Sequence, residues 1–402
     1  MEIGDFTALL EPTGQQLLAE LSGGVYAETA ALSLASKLRD RYPAPLVATA
    51  LTQARLRSHA EAKFGSAAAT MYFTAHGLEQ ATRRSVAEWR ARRYAAAGVR
   101  RVADLCCGIG GDALAFAAAG IDVLAVDRDP VTCAVAEANV RVAGLGDRIE
   151  VRCADVTKVA LEGCDAAFLD PARRGDRGRV FDPAAYSPPW GFALELAERV
   201  GELGVKVAPG IPHELVPDGA EAEWVSERGE VKEAGIYFGR LAGERRRATV
   251  LPGPWSLVAR GVGDPEPAAV QRYLYEPDGA VIRARLIGEL AQDLGARTID
   301  ATIAYLSSDR LVPTPFASAY EITDVLPFHV KRLRAEVARR GIGVLTVKKR
   351  GADVDPAVLR KQLRPAGPNS AVLIVTRVLG AHIALLAQPA HPSGRPRSSP
   401  TA

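Results

Sequence analysis

Up to about Gly98 the apolar residues keep helical spacing, at Leu17, Leu18 and Leu21, then Ala30 to Leu38, then Leu46 to Leu56, with no strand-like alternation. This predicts a small helical domain over residues 1–98. From Val99 the pattern changes. Short apolar runs alternate with helical stretches as far as about Leu251, as in a parallel sheet with helices on both faces. The runs Arg101 to Leu105, Ile121 to Val126, Ile149 to Cys153, Ala166 to Leu169 and Gly204 to Pro209 read as successive strands. Glu221 to Val225 and Ile236 to Leu241 read as an antiparallel pair that closes the sheet, so the domain spans residues 99–260. Gly261-Val262-Gly263-Asp264-Pro265-Glu266-Pro267 reads as a linker. Beyond it, Tyr273 to Asp278 leads into a helix from about Ala280 to Gln292. From Tyr320 the order is strand, helix, strand, helix, then strands at Ala371 to Val378 and His382 to Ala387. A compact α+β domain over 268–390 is predicted, and a Pro-, Ser- and Arg-rich tail over 391–402 is expected to be disordered.

Composition narrows the classes of protein. A chain of 402 residues can bury more than one core, and 48% hydrophobic with 24% charged residues is ordinary globular composition. The net charge of +3 is too small to announce a nucleic-acid partner by itself. All five cysteines lie between Cys106 and Cys164, without a C-x-x-C pair or a histidine at metal spacing. Neither a zinc site nor a disulfide framework is supported, and no metal is expected. No apolar run approaches membrane-spanning length, and the first residues lack a basic segment followed by an apolar core. A cytoplasmic protein without a membrane partner is the expectation.

The chemistry gathers where the first sheet strand ends. Asp104-Leu105-Cys106-Cys107-Gly108-Ile109-Gly110-Gly111-Asp112 is an acid followed by three glycines within four residues, ahead of a helix from Ala113 to Ala119. Glycine lets the backbone turn at positive φ and lets a ligand approach main-chain N–H groups, while the helix offers its positive end. The same letters fit the G-x-G-x-x-A form of the dinucleotide fingerprint, and Asp127, closing the second strand, suits the ribose hydroxyls of NAD and of S-adenosylmethionine alike. Asp104 separates the two. It stands before the glycines, where a dehydrogenase normally carries an apolar residue, and a methionine ammonium group needs an anion there. Asp155, after the third strand, is placed to take an adenine amino group, and Asp170-Pro171 closes the fourth.

On these residues, Asp104 to Ala117 resembles the first motif of class I S-adenosylmethionine-dependent methyltransferases, and Cys107-Gly108-Ile109-Gly110-Gly111-Asp112 is similar to the form in trimethylguanosine synthases. The whole chain resembles bacterial methyltransferases with a THUMP-like domain. The resemblance implies an α/β fold, a Rossmann-like class I methyltransferase sheet with an N-terminal helical domain and a C-terminal α+β, THUMP-like domain. It implies S-adenosyl-L-methionine as cofactor, held by Asp104, Cys106, Gly108, Gly110, Gly111, Asp127, Arg128, Asp155 and Val156. In such enzymes the segment before the first strand folds over the cofactor, which makes Thr74, Gln80 and Thr82 lid contacts. Asp170-Pro171 falls on the fourth motif as the catalytic pair. Amino-directed nucleic-acid methyltransferases usually show Asn, Asp or Ser, then Pro-Pro-aromatic at that place, whereas this chain has Asp170-Pro171-Ala172-Arg173.

The Asp170 side chain or its neighbouring carbonyls can accept hydrogen bonds from an exocyclic amine and hold its lone pair in line with the methyl group. Arg173 and Arg174, which follow, suit substrate phosphates. Ser187-Pro188-Pro189-Trp190 matches the amino-methyltransferase motif letter for letter. The residues before it, Asp182-Pro183-Ala184-Ala185-Tyr186, cannot form a buried strand, so it reads as the start of a helix that continues from Gly191 to Val200. Cys106 and Cys107 read as small buried residues of the cofactor loop rather than nucleophiles. Between Glu321 and Arg377 the basic residues, among them Lys331, Arg332, Arg334, Arg360, Lys361 and Arg364, outnumber the acids more than two to one. Such a face suits an RNA backbone. The expectation is a methyltransferase that modifies a base nitrogen of RNA by direct in-line transfer. Methylation of a small molecule or protein, and a non-catalytic RNA-binding protein that keeps the fold, stay open as alternatives.

Overall fold

Helices come first along the chain: α1 (Ile3–Leu10), α2 (Pro12–Ser22), α3 (Ala31–Arg39), α4 (Ala44–Phe64), α5 (Ala75–Gln80) and α6 (Arg84–Ala96). The structure, a computed structural model, describes residues 2–22, 31–161, 163–172, 174–175, 178–179 and 185–390. The expected tail over 391–402 lies outside these residues. Two units divide the chain, Met1–Glu221 with Glu233–Gly243, and Ala222–Lys232 with Glu244–Ala402.

In the first unit the strands β1 (Arg101–Leu105), β2 (Asp122–Asp127), β3 (Ile149–Cys153) and β4 (Ala166–Leu169) run parallel, separated by α7 (Gly111–Ala118) and α8 (Pro130–Val142). Two-residue strands β5 (Arg174–Gly175) and β6 (Gly178–Arg179) follow, then α9 (Trp190–Val200) and β7 (Leu203–Val207), which pairs parallel with β4. Next come β8 (Glu221–Glu227), all but Glu221 of which belongs to the second unit, and β9 (Glu230–Tyr237), whose Ala234 to Tyr237 lie antiparallel along β7 in the first. Residues of β1, β4 and β7 are buried almost throughout, which is why these strands read as continuous apolar runs rather than alternating ones. In register Leu105 lies beside Val126 of β2 and Leu169 of β4, so three strands end at one level. Acids placed just at or before those ends therefore converge.

The N-terminal helices share a core with this sheet's helical cover: Phe6, Leu17, Val47 and Phe64 pack in one cluster with Ile109, Val135 and Ala138. Between them runs the extended segment around Tyr72 and Phe73, whose backbone groups bond to side chains in place of a strand partner. Asn139 of α8 accepts from the Tyr72 N–H at 2.7 Å and donates to the carbonyls of Tyr72 at 3.0 Å and Ile109 at 2.9 Å. Gln53 of α4 accepts from the Phe73 N–H at 3.0 Å and donates to its carbonyl at 2.6 Å. Lys63 then holds the carbonyls of Leu78, Glu79 and Ala81 at 2.8, 2.7 and 3.0 Å, where α5 ends. These contacts fix α5 over the glycine loop.

In the second unit β10 (Arg246–Leu251) runs parallel to β8 and antiparallel to β11 (Trp255–Val258). A separate sheet has the order β13-β14-β12-β15-β18-β17-β16, formed by β12 (Tyr273–Pro277), β13 (Arg297–Asp300), β14 (Ile303–Ser308), β15 (Ala317–Pro327), β16 (Ile342–Lys349), β17 (Asn369–Val378) and β18 (Ala381–Pro389). Helices α12 (Val330–Arg339) and α13 (Pro356–Leu363) bury Leu333, Val337, Leu359 and Leu363 against it. The helix expected from Ala280 to Gln292 is two helices, α10 (Gly279–Arg283) and α11 (Ile287–Leu294), broken where Arg285 takes a φ of 53°. β13 and β14 lie in a stretch where no strand was expected.

Replacing Asn139 by Ala removes three hydrogen bonds and strands buried backbone groups, so it should destabilise the protein by about 2–4 kcal/mol. Urea unfolding checks this; a loss below about 1 kcal/mol contradicts it.

Candidate functional site

A cleft of about 530 Å³ opens in the first unit at the carboxyl ends of β1 to β4. The glycine loop forms one side. Cys106 takes a left-handed φ of 63°, Gly108 follows at 56°, and Gly110 at 85° serves as the N-cap of α7. The backbone thus curls into a turn that only a residue tolerant of positive φ can make. Asp127, ending β2, holds the loop from below: its carboxylate accepts from the N–H of Gly108 at 3.0 Å and of Asp129 at 3.1 Å. Asp129 in turn caps α8 by accepting from the Thr132 N–H at 2.8 Å. Past β3, Asp155 accepts from the N–H and hydroxyl of Thr157 at 3.0 and 2.8 Å, and those bonds hold its carboxyl below the usual aspartate range. The α5 segment forms the facing wall with His76, Gly77, Gln80 and Thr82. A Cβ on Gly77 would stand 2.5 Å from the Ile109 side chain, so the close approach of α5 to the loop requires glycine there.

Beneath the cleft lies a cluster of buried charges. Arg90 of α6, 2% exposed, pairs with Asp112 of α7 and Glu233 of β9 and lies 4.2 Å from the centroid of the Phe168 ring. Lys206 of β7 donates to Asp170 Oδ2 at 2.7 Å and to the Thr82 hydroxyl at 2.9 Å. Burial works against the Lys206 ammonium, but Asp170, Glu233 and Asp112 outweigh it and hold the group above the usual lysine range. Asp104 is different. It is 0% exposed, and neither carboxylate oxygen has a hydrogen-bond partner. Burial first, then Asp112 and Asp170, push its carboxyl well above the usual aspartate range, against the pull of Arg90. Four acids thus face two bases. A ligand bringing positive charge to the ends of the strands would fit this imbalance, and an adenosine group would fit the donors and acceptors at Gly108, Asp127 and Asp155.

Of the residues singled out in the sequence, Gln80, Thr82, Cys106, Gly108, Gly111, Asp127, Arg128, Asp155, Val156 and Asp170 line the cleft together. Thr74, Asp104, Gly110 and Pro171 do not line it. Thr74 is the N-cap of α5, its hydroxyl accepting from the Gly77 N–H, and Pro171 is buried. Thr82 lines the cleft with its hydroxyl already bonded to Lys206. Arg173 lies outside the described residues, as does the side chain of Arg174. Burial, foremost, pushes the thiols of Cys106 and Cys107 well up, which leaves little thiolate for nucleophilic attack. Ser187, Pro188 and Pro189 also line the cleft, because Ser187 and Ala172 exchange backbone hydrogen bonds of 2.9 and 3.0 Å. The helix after them starts only at Trp190, with Pro189 as its N-cap, so Ser187 and Pro188 do not begin it as the sequence suggests. His76, Gly77, Asp112, Thr132 and Thr157 line the cleft unforeseen, and Arg90, Lys206 and Glu233 support it unforeseen. Among the described residues no group of acids, cysteines and histidines could hold a metal ion. No helix is long and apolar enough to cross a membrane, also among the described residues.

Comparison with known proteins agrees with this geometry. Residues 99–194 match the family described as RNA cap guanine-N2 methyltransferase, residues 317–389 a THUMP domain-like family, and residues 2–60 a domain of unknown function. The chain is 35% identical over 316 residues to an uncharacterized S-adenosylmethionine-dependent methyltransferase of Mycobacterium tuberculosis, a match that covers 76% of this chain and 84% of the relative. A protein of Parasynechococcus marenigrum named an uncharacterized RNA methyltransferase is 32% identical over 120 residues, 28% of this chain and 26% of its own. The fold matches the crystal structure of a protein from Porphyromonas gingivalis W83, provisionally named a methyltransferase, with a TM-score of 0.74 at 20% identity, over 92% of this chain and all of that one.

A carboxyl raised in the folded state costs stability as pH climbs from the usual aspartate range toward its folded value. Asp104→Asn should therefore raise the melting temperature of the ligand-free protein at pH 8, by an amount that shrinks toward pH 5. Thermal unfolding across that range checks it, and a variant no more stable than the parent at pH 8 contradicts it.

Proposed function

This chain belongs to the S-adenosylmethionine-dependent methyltransferases, and from that premise we propose that it methylates a nitrogen of an RNA base. The cofactor supplies, when bound, a methyl group made electrophilic by the sulfonium that carries it. Asp104 is the anion for its ammonium group, since a buried carboxylate without hydrogen-bond partners is stabilised by a cation brought to it. The Gly108 and Gly111 backbone forms the floor, Asp127 takes the ribose hydroxyls and Asp155 the adenine amino group, with Arg128, Val156 and Gln80 as walls. Ile109 and the α5 segment exclude water from the methyl group's path.

Asp170 faces the same cleft with its side chain 23% exposed. As a carboxylate it accepts an N–H of the substrate amine and so aims the nitrogen lone pair along the transfer axis. In-line transfer asks for positioning more than for acid–base help. Ser187, Pro188 and Pro189, bridged to Ala172, form the neighbouring wall where the target base enters.

The observation that carries RNA as the substrate is a cationic face in the second unit. Lys331, Arg332 and Arg334 of α12 and Arg360, Lys361 and Arg364 beside or on α13 are exposed. None of the six forms an ion pair among the described residues, whereas Arg339 and Arg340 are already engaged by Glu336. Unpaired cations on two adjacent helices attract a phosphate backbone and give affinity without sequence specificity. The THUMP domain-like match spans α12 and α13, and the partial relative named an RNA methyltransferase supports the same reading.

Labelled S-adenosylmethionine incubated with the protein and, in parallel, total bacterial RNA, total protein and a small-molecule extract tests the reading. Label should enter RNA. Asp170→Asn should lower the rate about 10²-fold or more while RNA affinity stays as in the parent. The triple change Arg332→Glu, Arg334→Glu, Arg360→Glu should weaken RNA binding at least about tenfold and flatten its salt dependence. Label entering only protein or small molecules contradicts the proposal.

A further inference from the structure

Lys206 is the cation that neither the glycine loop nor the fourth motif accounts for. It lies on β7 with its side chain 5% exposed, and lysine is almost never buried without partners. Its partners come from two different walls of the cleft. Asp170 stands at the end of β4, and Thr82 stands between α5 and α6 in the segment that borders the donor side. We infer that Lys206 is a positioning residue, which keeps Asp170 an anionic acceptor for the substrate N–H and ties it to the Thr82 wall of the donor cleft. The inference rests on the reading of Asp170 given above.

Among the described residues Lys206 is the cation that bonds to Asp170. Asp104 acts on Asp170 from β1 and Glu233 from β9. Arg90 of α6 is committed to Asp112 and Glu233. Without the ammonium, the half-buried Asp170 carboxylate is left beside two further acids, and the favoured response of such a group is to take up a proton. A protonated carboxyl presents an O–H donor where the amine N–H needs an acceptor. With the ammonium on Oδ2, the other oxygen remains for the substrate. The same ammonium, bonded to Thr82, gives the donor wall and the acceptor carboxylate one shared anchor. Displacement of either by bound ligand is then felt by the other.

The test compares pH–rate profiles of methyl transfer from labelled S-adenosylmethionine to total bacterial RNA by the parent protein, Lys206→Met, Lys206→Arg and Thr82→Val, with donor affinity measured by calorimetry. Lys206→Met should lose about 10²-fold in rate at pH 7, its acid limb should move up by about one pH unit or more, and part of the rate should return toward pH 9. Lys206→Arg keeps the charge and should keep the acid limb of the parent despite a lower rate. Thr82→Val should bind the donor several-fold more weakly with the acid limb unmoved. A purely structural lysine would lower rate and stability without moving the limb, and an unshifted limb in Lys206→Met overturns the inference whatever its rate. If Lys206→Met does not fold, a shifted limb in Lys206→Arg, or undiminished donor affinity in Thr82→Val, overturns it instead. A parent protein that transfers label only to protein or small molecules removes the RNA reading, whereas an unshifted limb in Lys206→Met beside an RNA-active parent removes this inference and leaves that reading standing, which tells the two failures apart.

Discussion

The site depends on an excess of buried negative charge. Among the described residues Asp104, Asp112, Asp170 and Glu233 gather under the strand ends around Arg90 and Lys206, and Asp104 is left without a hydrogen-bond partner. Such an arrangement is poor for stability, because an unpaired buried acid either pays for desolvation or gives up its charge. It is well suited to a cationic ligand. S-adenosylmethionine carries an ammonium and a sulfonium, and bringing them to this place supplies the charge that the protein withholds. The deficit and the ligand are complementary, and strain of this kind collects at functional sites.

Holding such a cluster in place requires a rigid surround, and the N-terminal helices provide it. Asn139 and Gln53 satisfy a backbone segment that has no strand to pair with, Lys63 closes the end of α5, and the absence of a Cβ at Gly77 lets α5 settle onto Ile109. From there Thr82 meets Lys206, and Lys206 meets Asp170. Packing of the helical layer thus reaches Asp170 at the end of β4 through a short chain of polar contacts, the last two of them buried or half-buried. This explains why a methyltransferase sheet here carries a helical layer ahead of its first strand.

Much of this was legible from residue order. Ile149–Cys153 and Ala166–Leu169 fall on the strands that the apolar runs predict, and the acids after them line one cleft because parallel strands end at a common level. What stayed hidden was pairing over long distances. Lys206 and Thr82 are 124 residues apart, and Arg90 and Glu233 are 143 apart, so no spacing rule links them. Arg90 reads in sequence as one more arginine of a basic helix, and Lys206 as a blemish in an apolar strand. Buried lysine in a parallel strand was itself a signal, since nothing apolar explains it. Thr74 went the other way: a polar residue at a helix start proved to be a cap. Ser187-Pro188-Pro189 could not be placed from the residues before it, because an isolated bridge to Ala172, not a strand, brings it to the cleft. In the second unit the break at Arg285 was invisible to periodicity, which runs unbroken across a single left-handed residue.

The cleft proposed for the donor lies over an acid, Asp104, that awaits a cation. Calorimetric titration of the intact protein with S-adenosylmethionine, repeated from pH 6 to pH 8 in buffers of different ionisation enthalpy, tests this most directly. Burial and its acidic neighbours push the Asp104 carboxyl well above the usual aspartate range, so binding of the cationic donor should favour loss of its proton. The measured heat should then depend on the buffer, affinity should rise with pH, and Asp104→Asn should abolish both effects. Binding with no proton exchange and one affinity across the range would contradict the account.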